Sequence, residues 1–319
     1  MTRAERDERD LSPRDFAARA AWLSYVGGLT QDQIARELGI SRQRAQRLVA
    51  RAMAEGLVRV RISHPIAACL EMERDLKERY ELEAAWVAPS MGSDGDPVHG
   101  VAVYAAPVLE QIFGSTEPKT IAIGTGRTLR AVVENIEPVQ GGAHKLVSLN
   151  GNVAPDGSAT AYEVIVRLAG LLSIPQYPLS IPLVARSQEE FELYLSLPHV
   201  AASRALARAA DIAIVGIGHM SDNVPLYVDG FITAEELASL QAAGAAGELA
   251  GHVFDAEGRY LDHPVNDRIM GVRVSAQECP VCCIAAGASK RTAVEAALKG
   301  RLITHLVIDE ASAKHLLAQ

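Results

Sequence analysis

Residues 31–50, QDQIARELGISRQRAQRLVA, constrain this chain more than any other stretch. Thr30 offers a hydroxyl N-cap, and Gln33 stands three positions later, where a capping box places Glu or Gln. Ile34, Ala35 and Leu38 then make one apolar face, Gly39 a tight turn and Ile40 a plug beneath it. Ser41 caps a further helix in which Ala45, Leu48 and Val49 face inward while Arg42, Gln43, Arg44, Gln46 and Arg47 face out. Two short helices cross closely only with a small residue such as Ala35 and a residue free to turn such as Gly39, the requirements of a helix-turn-helix. Its second helix presents its first turns to the major groove, where Arg pairs with guanine and Gln with adenine. On this reading Gln43, Arg44 and Arg47 are the base contacts. Arg42, Arg51 and the Ser41 hydroxyl hold phosphates, with Thr30 and Gln31 beside them. The competing reading is a helical hairpin with a solvated arginine face, and it leaves the shared register of cap, small residue, glycine and plug unexplained.

The flanks extend the motif. Asp15–Val26 carries apolar residues at Ala18, Ala21, Trp22, Tyr25 and Val26, which predicts a preceding helix with that face inward, ended by Gly27 and Gly28. After Gly56, LVRVRI alternates apolar and basic residues and predicts a strand forming a wing, so the head is expected to be winged-helix-like. The whole chain has a net charge of −8, but residues 1–62 hold twelve arginines, no lysine and eight acids, a net +4. The remainder holds 19 basic and 31 acidic residues, a net −12. A basic head on an acidic body is the asymmetry expected when one domain alone touches phosphates.

At 319 residues the chain is long enough for more than one domain, and its composition, 49% apolar and 22% charged, is that of an ordinary globular protein. No apolar run approaches the ~20 residues of a membrane span, and the N-terminus is charged, so a cytoplasmic location is expected. Four cysteines, three of them at Cys279, Cys282 and Cys283, do not make a disulfide framework. Residues 63–82 read as a linker helix through about Tyr80, with Ile66, Cys69, Leu70, Met72, Leu76 and Tyr80 at near-helical spacing; a dimer contact and a simply packed helix both fit.

From residue 83 to 319, short apolar runs (LEAAWVA, TIAIG, KLVSLNG, DIAIVGIG, VCCIAAG, THLVIDE) alternate with helix-period segments. That alternation predicts a mostly parallel, Rossmann-like α/β sheet covered on both faces, which binds ligands beyond the carboxyl ends of its strands. Four such loops are candidates. Gly124, Thr125, Gly126, Arg127 and Thr128 lie between a strand and a helix start, where bare N–H groups favour an anion or polar hydroxyls. This loop lacks the lysine of a P-loop and the third glycine of a dinucleotide fingerprint, so no nucleotide cofactor is expected. Asn150, Gly151 and Asn152 follow LVSL; Gly216, Gly218 and His219 follow DIAIV; Gly287, Ser289 and Lys290 follow VCCI. Glu248, after Gly247, and Asn266, Asp267 and Arg268 add polar groups in a segment that reads as short strands. A catalytic role for Asp229, Glu248, Asp267 or His219 lacks any paired spacing. Cys279-x-x-Cys282 has ligand spacing but no second pair, so VCCI reads as a buried strand and no metal is expected.

With the head, these residues resemble the SorC family of bacterial sugar-binding transcriptional regulators, from about Arg19 to Leu317. The most specific parts are the helix-turn-helix, the Gly124–Thr128 loop and Ala286–Leu298. The resemblance implies an effector domain similar to sugar-phosphate isomerases and deaminases. It also implies a homodimer or homotetramer that binds operator double-stranded DNA, as a repressor or an activator, and responds to a sugar, polyol or sugar phosphate. Within the family the chain is most similar to regulators of polyol catabolism, such as those for erythritol or sorbitol. In members that take phosphorylated sugars the loop matching Gly124–Thr128 serves the phosphate, a role open here to Arg127, Arg268 and Lys290. A neutral polyol would use Thr125, Asn150, Asn152, Glu248, Asn266 and Asp267. An isomerase or deaminase carrying a DNA-binding domain is the alternative, since fold alone does not settle function.

Overall fold

Each described helix of the N-terminal unit begins where a side chain takes up a free backbone N–H. The computed structural model describes residues 12–58, 66–92, 95–158 and 164–318. The chain divides into two compact units, Met1–His64 and Pro65–Gln319. In the first, α1 (Pro13–Tyr25) starts with a capping box between Ser12 and Asp15. Helix α2 (Gln31–Glu37) has the expected box, the Thr30 N–H donating to Gln33 Oε1 at 2.8 Å and the Gln33 N–H to Thr30 Oγ1 at 3.4 Å. Helix α3 (Arg42–Ala54) is capped by Ser41, whose Oγ accepts from the Arg44 N–H. Gly39 turns the chain between them at φ +62°, a conformation that costs glycine nothing. Ala20, Ile34, Ala35, Leu38, Ala45 and Val49 form the core, with Ile40 and Leu48 packed at its edge.

Helix α1 buries a different face from the one expected. Ala17, Ala20 and Ala21 are buried, whereas Ala18 is exposed and Trp22, Tyr25 and Val26 are 65%, 49% and 63% exposed. The buried residues also recur at helical spacing. They are small, which lets α1 approach α3 at Ala45 and Ala52, and close backbone approach outweighs the area of the larger side chains. The expected wing is residues 57–62; Leu57 and Val58 are half-buried against this seam and in no strand, and residues 59–62 lie outside the described residues.

The second unit opens with α4 (Ala67–Tyr80), whose Cys69, Met72 and Leu76 are buried in the body's own core. The linker helix is thus a packed element of this unit. There follow β1 (Ala84–Ala88), α5 (Pro97–Phe113), β2 (Thr120–Ile123), α6 (Arg127–Asn135), β3 (Lys145–Val153), α7 (Ile165–Leu172) and β4 (Gln176–Pro182). Next come α8 (Gln188–Ser196), α9 (Pro198–Arg208), β5 (Ile212–Val215), β6 (Gly218–His219), α10 (Pro225–Val228), α11 (Ala234–Ala242), β7 (Ala245–Leu249), β8 (His252–Asp255) and α12 (Pro264–Asp267). The chain ends with β9 (Val281–Ile284), a 3₁₀ turn at Ala288–Lys290, α13 (Arg291–Lys299), β10 (His305–Asp309) and α14 (Glu310–Leu317).

Seven strands form one sheet in the order β1-β10-β9-β5-β2-β3-β4, every pair parallel. Alternation along each strand feeds two cores. Ile121, Ile214, Cys282 and Val307 join α5, α6 and α7 on one face; Ala122, Val215, Cys283 and Leu306 join α4, α9, α13 and α14 on the other. The segment between β6 and β9, expected as short strands, does supply the antiparallel ribbon β6-β7-β8. It also contains α11, which starts at a capping box between Thr233 and Glu236. From β2 the sheet grows outward through β3 and β4, and from β5 in the opposite direction through β9 and β10. The chain's direction of winding therefore reverses between β2 and β5, the place where such sheets leave a crevice.

Candidate functional site

A cleft of about 910 Å³ opens at that reversal. The carboxyl ends of β2 and β5 make its floor. The Gly124 N–H donates to Ile214 O at 2.9 Å, which ties the two strand ends side by side. Helix α6 then starts at Gly126, at φ +135° and with no side-chain cap, so the first N–H groups of the helix are left without intrahelical partners beside the cleft that Gly126, Arg127 and Thr128 line. Thr125, Arg127 and Thr128 line the same wall.

Strand β3 supplies Asn150 and Gly151. The sequence suggests a loop at residues 150–152, yet β3 continues to Val153 through two register shifts against β4. Gly151 is required there because a Cβ would lie 2.2 Å from Pro182 O. Asn150 is 5% exposed, and its Oδ1 is buried with no hydrogen-bond partner. A buried acceptor without a donor is costly, and the residue that carries it is among those lining the cleft.

The third wall carries Glu248 on β7 and Lys290 at the end of the 3₁₀ turn. Glu248 lies over Gly218, where a Cβ would meet its Oε1 at 2.1 Å, and its Oε2 accepts from the Gly251 N–H at 2.7 Å. Burial pushes the Glu248 carboxyl up, against the pull of the Gly251 N–H and of Lys290. Burial also pushes Lys290 down, with Glu248 opposing and Arg127 reinforcing the shift. Gly287, at φ +91°, donates its N–H to Asp309 Oδ2 at 2.8 Å, fixing the turn on which Ser289 and Lys290 reach the cleft.

Twelve of the residues expected at the effector site thus meet in one place: Gly124, Thr125, Gly126, Arg127, Thr128, Asn150, Gly151, Gly216, Gly218, Glu248, Gly287 and Lys290. Four do not line it. Asn152 sits past the second register shift of β3. Asn266 is 3% exposed and clamps the β8 region, donating to Val253 O and Leu261 O and accepting from the Val253 N–H. Arg268 bonds Ala185 O at 2.8 Å and pairs with Glu236 of α11, and Asp267 is exposed on α12. The sequence reading missed Asp96 and Asp156, which line the cleft. Asp96 had a signal, being an N-cap followed by proline at the start of α5. His219 lies beside the site, its Nδ1 2.7 Å from Ser221 Oγ; burial lowers its pKa first, then the cations Lys290 and Arg127. Cys282 and Cys283 point to opposite faces of the sheet, so they cannot share a metal ion, and burial pushes the Cys282 thiol up to about 12.

In the head, α3 exposes Arg42, Gln43, Arg44, Gln46, Arg47 and Arg51. Several are engaged. Arg42 pairs with Asp32 of α2 at 3.6 Å, Arg44 lies 5.7 Å over the Phe16 ring, and Arg51 pairs with Glu55 at 2.5 Å. Gln43, Gln46 and Arg47 have no side-chain partner among the described residues. Gln31 buries its Oε1 without a partner beside the Thr30 cap.

A family model for a sugar-binding domain matches residues 64–318, and a MarR family model matches residues 20–65. The erythritol catabolism regulatory protein EryD of Brucella abortus (strain 2308) is 33% identical over 305 residues, 95% of this chain and 96% of its own. The chain belongs to the SorC family of sugar-binding transcriptional regulators. Another relative, the transcriptional regulator LsrR of Enterobacter sp. (strain 638), is 30% identical over 97% of this chain and 94% of its own. The solved full-length sorbitol operon regulator SorC of Klebsiella pneumoniae matches with a TM-score of 0.73 and 26% identity, covering 97% of this chain and 100% of that one. These SorC-family relatives are regulators, and none supports the enzyme alternative.

Proposed function

We propose that this chain binds operator DNA of a carbohydrate or polyol catabolic operon through α3, and that a sugar, polyol or sugar phosphate held in the cleft sets the strength of that binding. The observation that carries the reading is a preformed cleft at the reversal of the sheet, lined by Asn150, Glu248, Arg127 and Lys290, on a chain whose other unit exposes the basic face of α3. Gln43, Arg44 and Arg47 read bases, and Arg42, Arg51 and Ser41 hold phosphates, with Thr30 and Gln31 at the start of α2. The active form is a homodimer or homotetramer in the cytoplasm, since a helix-turn-helix reads a two-fold operator with two copies. No described helix is long and apolar enough to cross a membrane.

The test is fluorescence anisotropy of the full chain on DNA from upstream of its own gene, with sugars, polyols and sugar phosphates added in turn. The expected result is sequence-specific binding whose affinity shifts about tenfold with one compound, a coupling near 1.4 kcal/mol, and recovery of that compound unchanged. Binding without sequence preference, or indifferent to every compound, overturns the proposal. Turnover of the compound would favour the enzyme.

A further inference from the structure

On the reading that the cleft holds the effector, its occupancy must be felt outside the cleft, and one wall has bonds that lead outward. Ser289 and Lys290 line the cleft, and the residues on either side of them are tied to a single helix, α14. Before them, the Gly287 N–H donates to Asp309 Oδ2 at 2.8 Å. After them, Arg291 Nε donates to Ser312 Oγ at 3.2 Å. Asp309 is also the N-cap of α14, its Oδ1 accepting from the Ser312 N–H at 2.9 Å. One buried carboxylate thus joins the cleft turn to the start of the helix. Elsewhere around the cleft the bonds stay local, Glu248 holding Gly251 of the ribbon and Gly124 holding Ile214 of the sheet.

Helix α14 is in turn bound along its length to α4, the first helix of the body and the one that follows the head in sequence. Near the starts of the two helices, burial first and then Glu310 and Glu73 push the Cys69 thiol up, with Lys314 opposing. Midway, Met72 and Leu76 share an apolar core with Ala313 and Leu316. At their ends, Tyr80 OH donates to Leu316 O at 3.1 Å and Arg79 Nη1 to Leu317 O at 3.1 Å, taking up carbonyls that a helix terminus leaves free. Start meets start and end meets end, so the two helices run parallel and are held together throughout. Arg301, just past α13, also pairs with Glu81 at the end of α4, but both side chains are solvated and such pairs carry little.

We infer that α14 is the relay from the cleft to the head, taking up ligand contact with the Ser289–Lys290 turn through Asp309 and passing it through Tyr80 to α4. Asp309 is a positioning residue, since it holds the turn without lining the cleft. A ligand shifts an equilibrium only by the difference in its contacts between two states, and here those contacts fall on a turn bonded to α14 on both sides. Close-packed helices move as units and do not deform continuously, so a displacement at the start of α14 reaches α4 along their whole shared length.

The experiment measures operator affinity of the full chain with and without erythritol, D-sorbitol, erythritol 4-phosphate and sorbitol 6-phosphate, and the affinity of each compound for the DNA-free chain by calorimetry. Tyr80→Phe keeps the ring and loses the bond to Leu316 O. With a compound that shifts the wild type about tenfold, this variant is expected to shift about threefold or less while binding the compound within about twofold of wild type. Asp309→Asn, with one acceptor in place of two, caps α14 but releases Gly287, and is expected to lose the response to a similar extent. Tyr260→Phe loses a bond to Val274 O in the same unit but off this route, and is expected to respond as the wild type does. Full responses in folded Tyr80→Phe and Asp309→Asn overturn the relay and leave the cleft standing as the effector site. An equal loss in Tyr260→Phe, or a fall in compound affinity that accounts for the lost response in Tyr80→Phe, marks a merely structural role and overturns it too. A wild type indifferent to all four compounds takes down the reading of the cleft, and the relay with it.

Discussion

The two units present polar chemistry in opposite ways. The head exposes the arginines and glutamines of α3 outside a small apolar core, and the proposed function rests on what α3 leaves exposed. The body encloses two apolar layers around a parallel sheet, and the proposed function rests on the cleft at the sheet's reversal, where Asn150 is buried without satisfying its Oδ1. A surface charge can be solvated in its free state and waits at little cost. A buried acceptor pays desolvation until its partner arrives. With only six residues in its main core the head is expected to be the less stable unit, and the body, with two large cores, the more stable.

That contrast is broken most directly from the head's side. Ile34 is fully buried in a core of six buried residues. Ile34→Ala should cost about 2–5 kcal/mol, and a unit this small has little reserve against such a loss. Calorimetry is expected to show a low-temperature transition shifted down or lost while the body's transition stays in place, and operator binding should disappear with it. A single transition that moves as a whole would mean that the two units melt together.

A second test belongs to the body. His252 is 5% exposed, its Nδ1 has no partner, and burial, reinforced by Arg273 and Arg204, pushes its pKa down to about 3. Tyr260 packs edge-on against it. The folded imidazole therefore stays neutral while the unfolded one protonates near pH 6.5, so this group's stabilisation is present above that pH and is lost as pH falls. Between pH 7 and 5 the loss is about 2 kcal/mol. His252→Phe should flatten this part of the stability profile in denaturant melts at the two pH values. An equally steep fall in the variant would sink the assignment.

How much of this contrast was legible in the sequence depended on backbone demands. Gly39, Gly126 and Gly287 marked turns and strand ends because few other residues meet their positive φ, and they located the helix-turn-helix and two walls of the cleft. Polar residues gave no such signal. Asn150 lines the cleft and Asn266 is a structural clamp, yet both are asparagines near strand ends, and only the register shifts of β3 and the fold of α12 against β8 separate them. Arg268 was misplaced for the same reason, its partners Ala185 and Glu236 lying 83 and 32 residues away. The face of α1 was misjudged because Ala17, Ala20 and Ala21 and the larger Trp22, Tyr25 and Val26 both satisfy helical periodicity. Only the presence of α3 decides between them.

The smallest effects compare arginines within α3. Arg47 has no side-chain partner among the described residues, so nothing must be broken for it to reach a base edge. Arg51 pairs with Glu55 one turn further along, and both ends of that pair are solvated, so its rupture costs at most about 1 kcal/mol. On the operator, Arg47→Ala is expected to lose about 1–3 kcal/mol, mostly as lost discrimination against a changed base pair. Arg51→Ala, a phosphate contact, should weaken all sequences alike and lower the salt slope by about one ion. Titrations on operator and scrambled DNA at two salt concentrations separate the two behaviours. If Arg51→Ala lowered specificity and Arg47→Ala only the salt slope, the recognition helix would sit in the groove about one turn further toward its C-terminus than proposed.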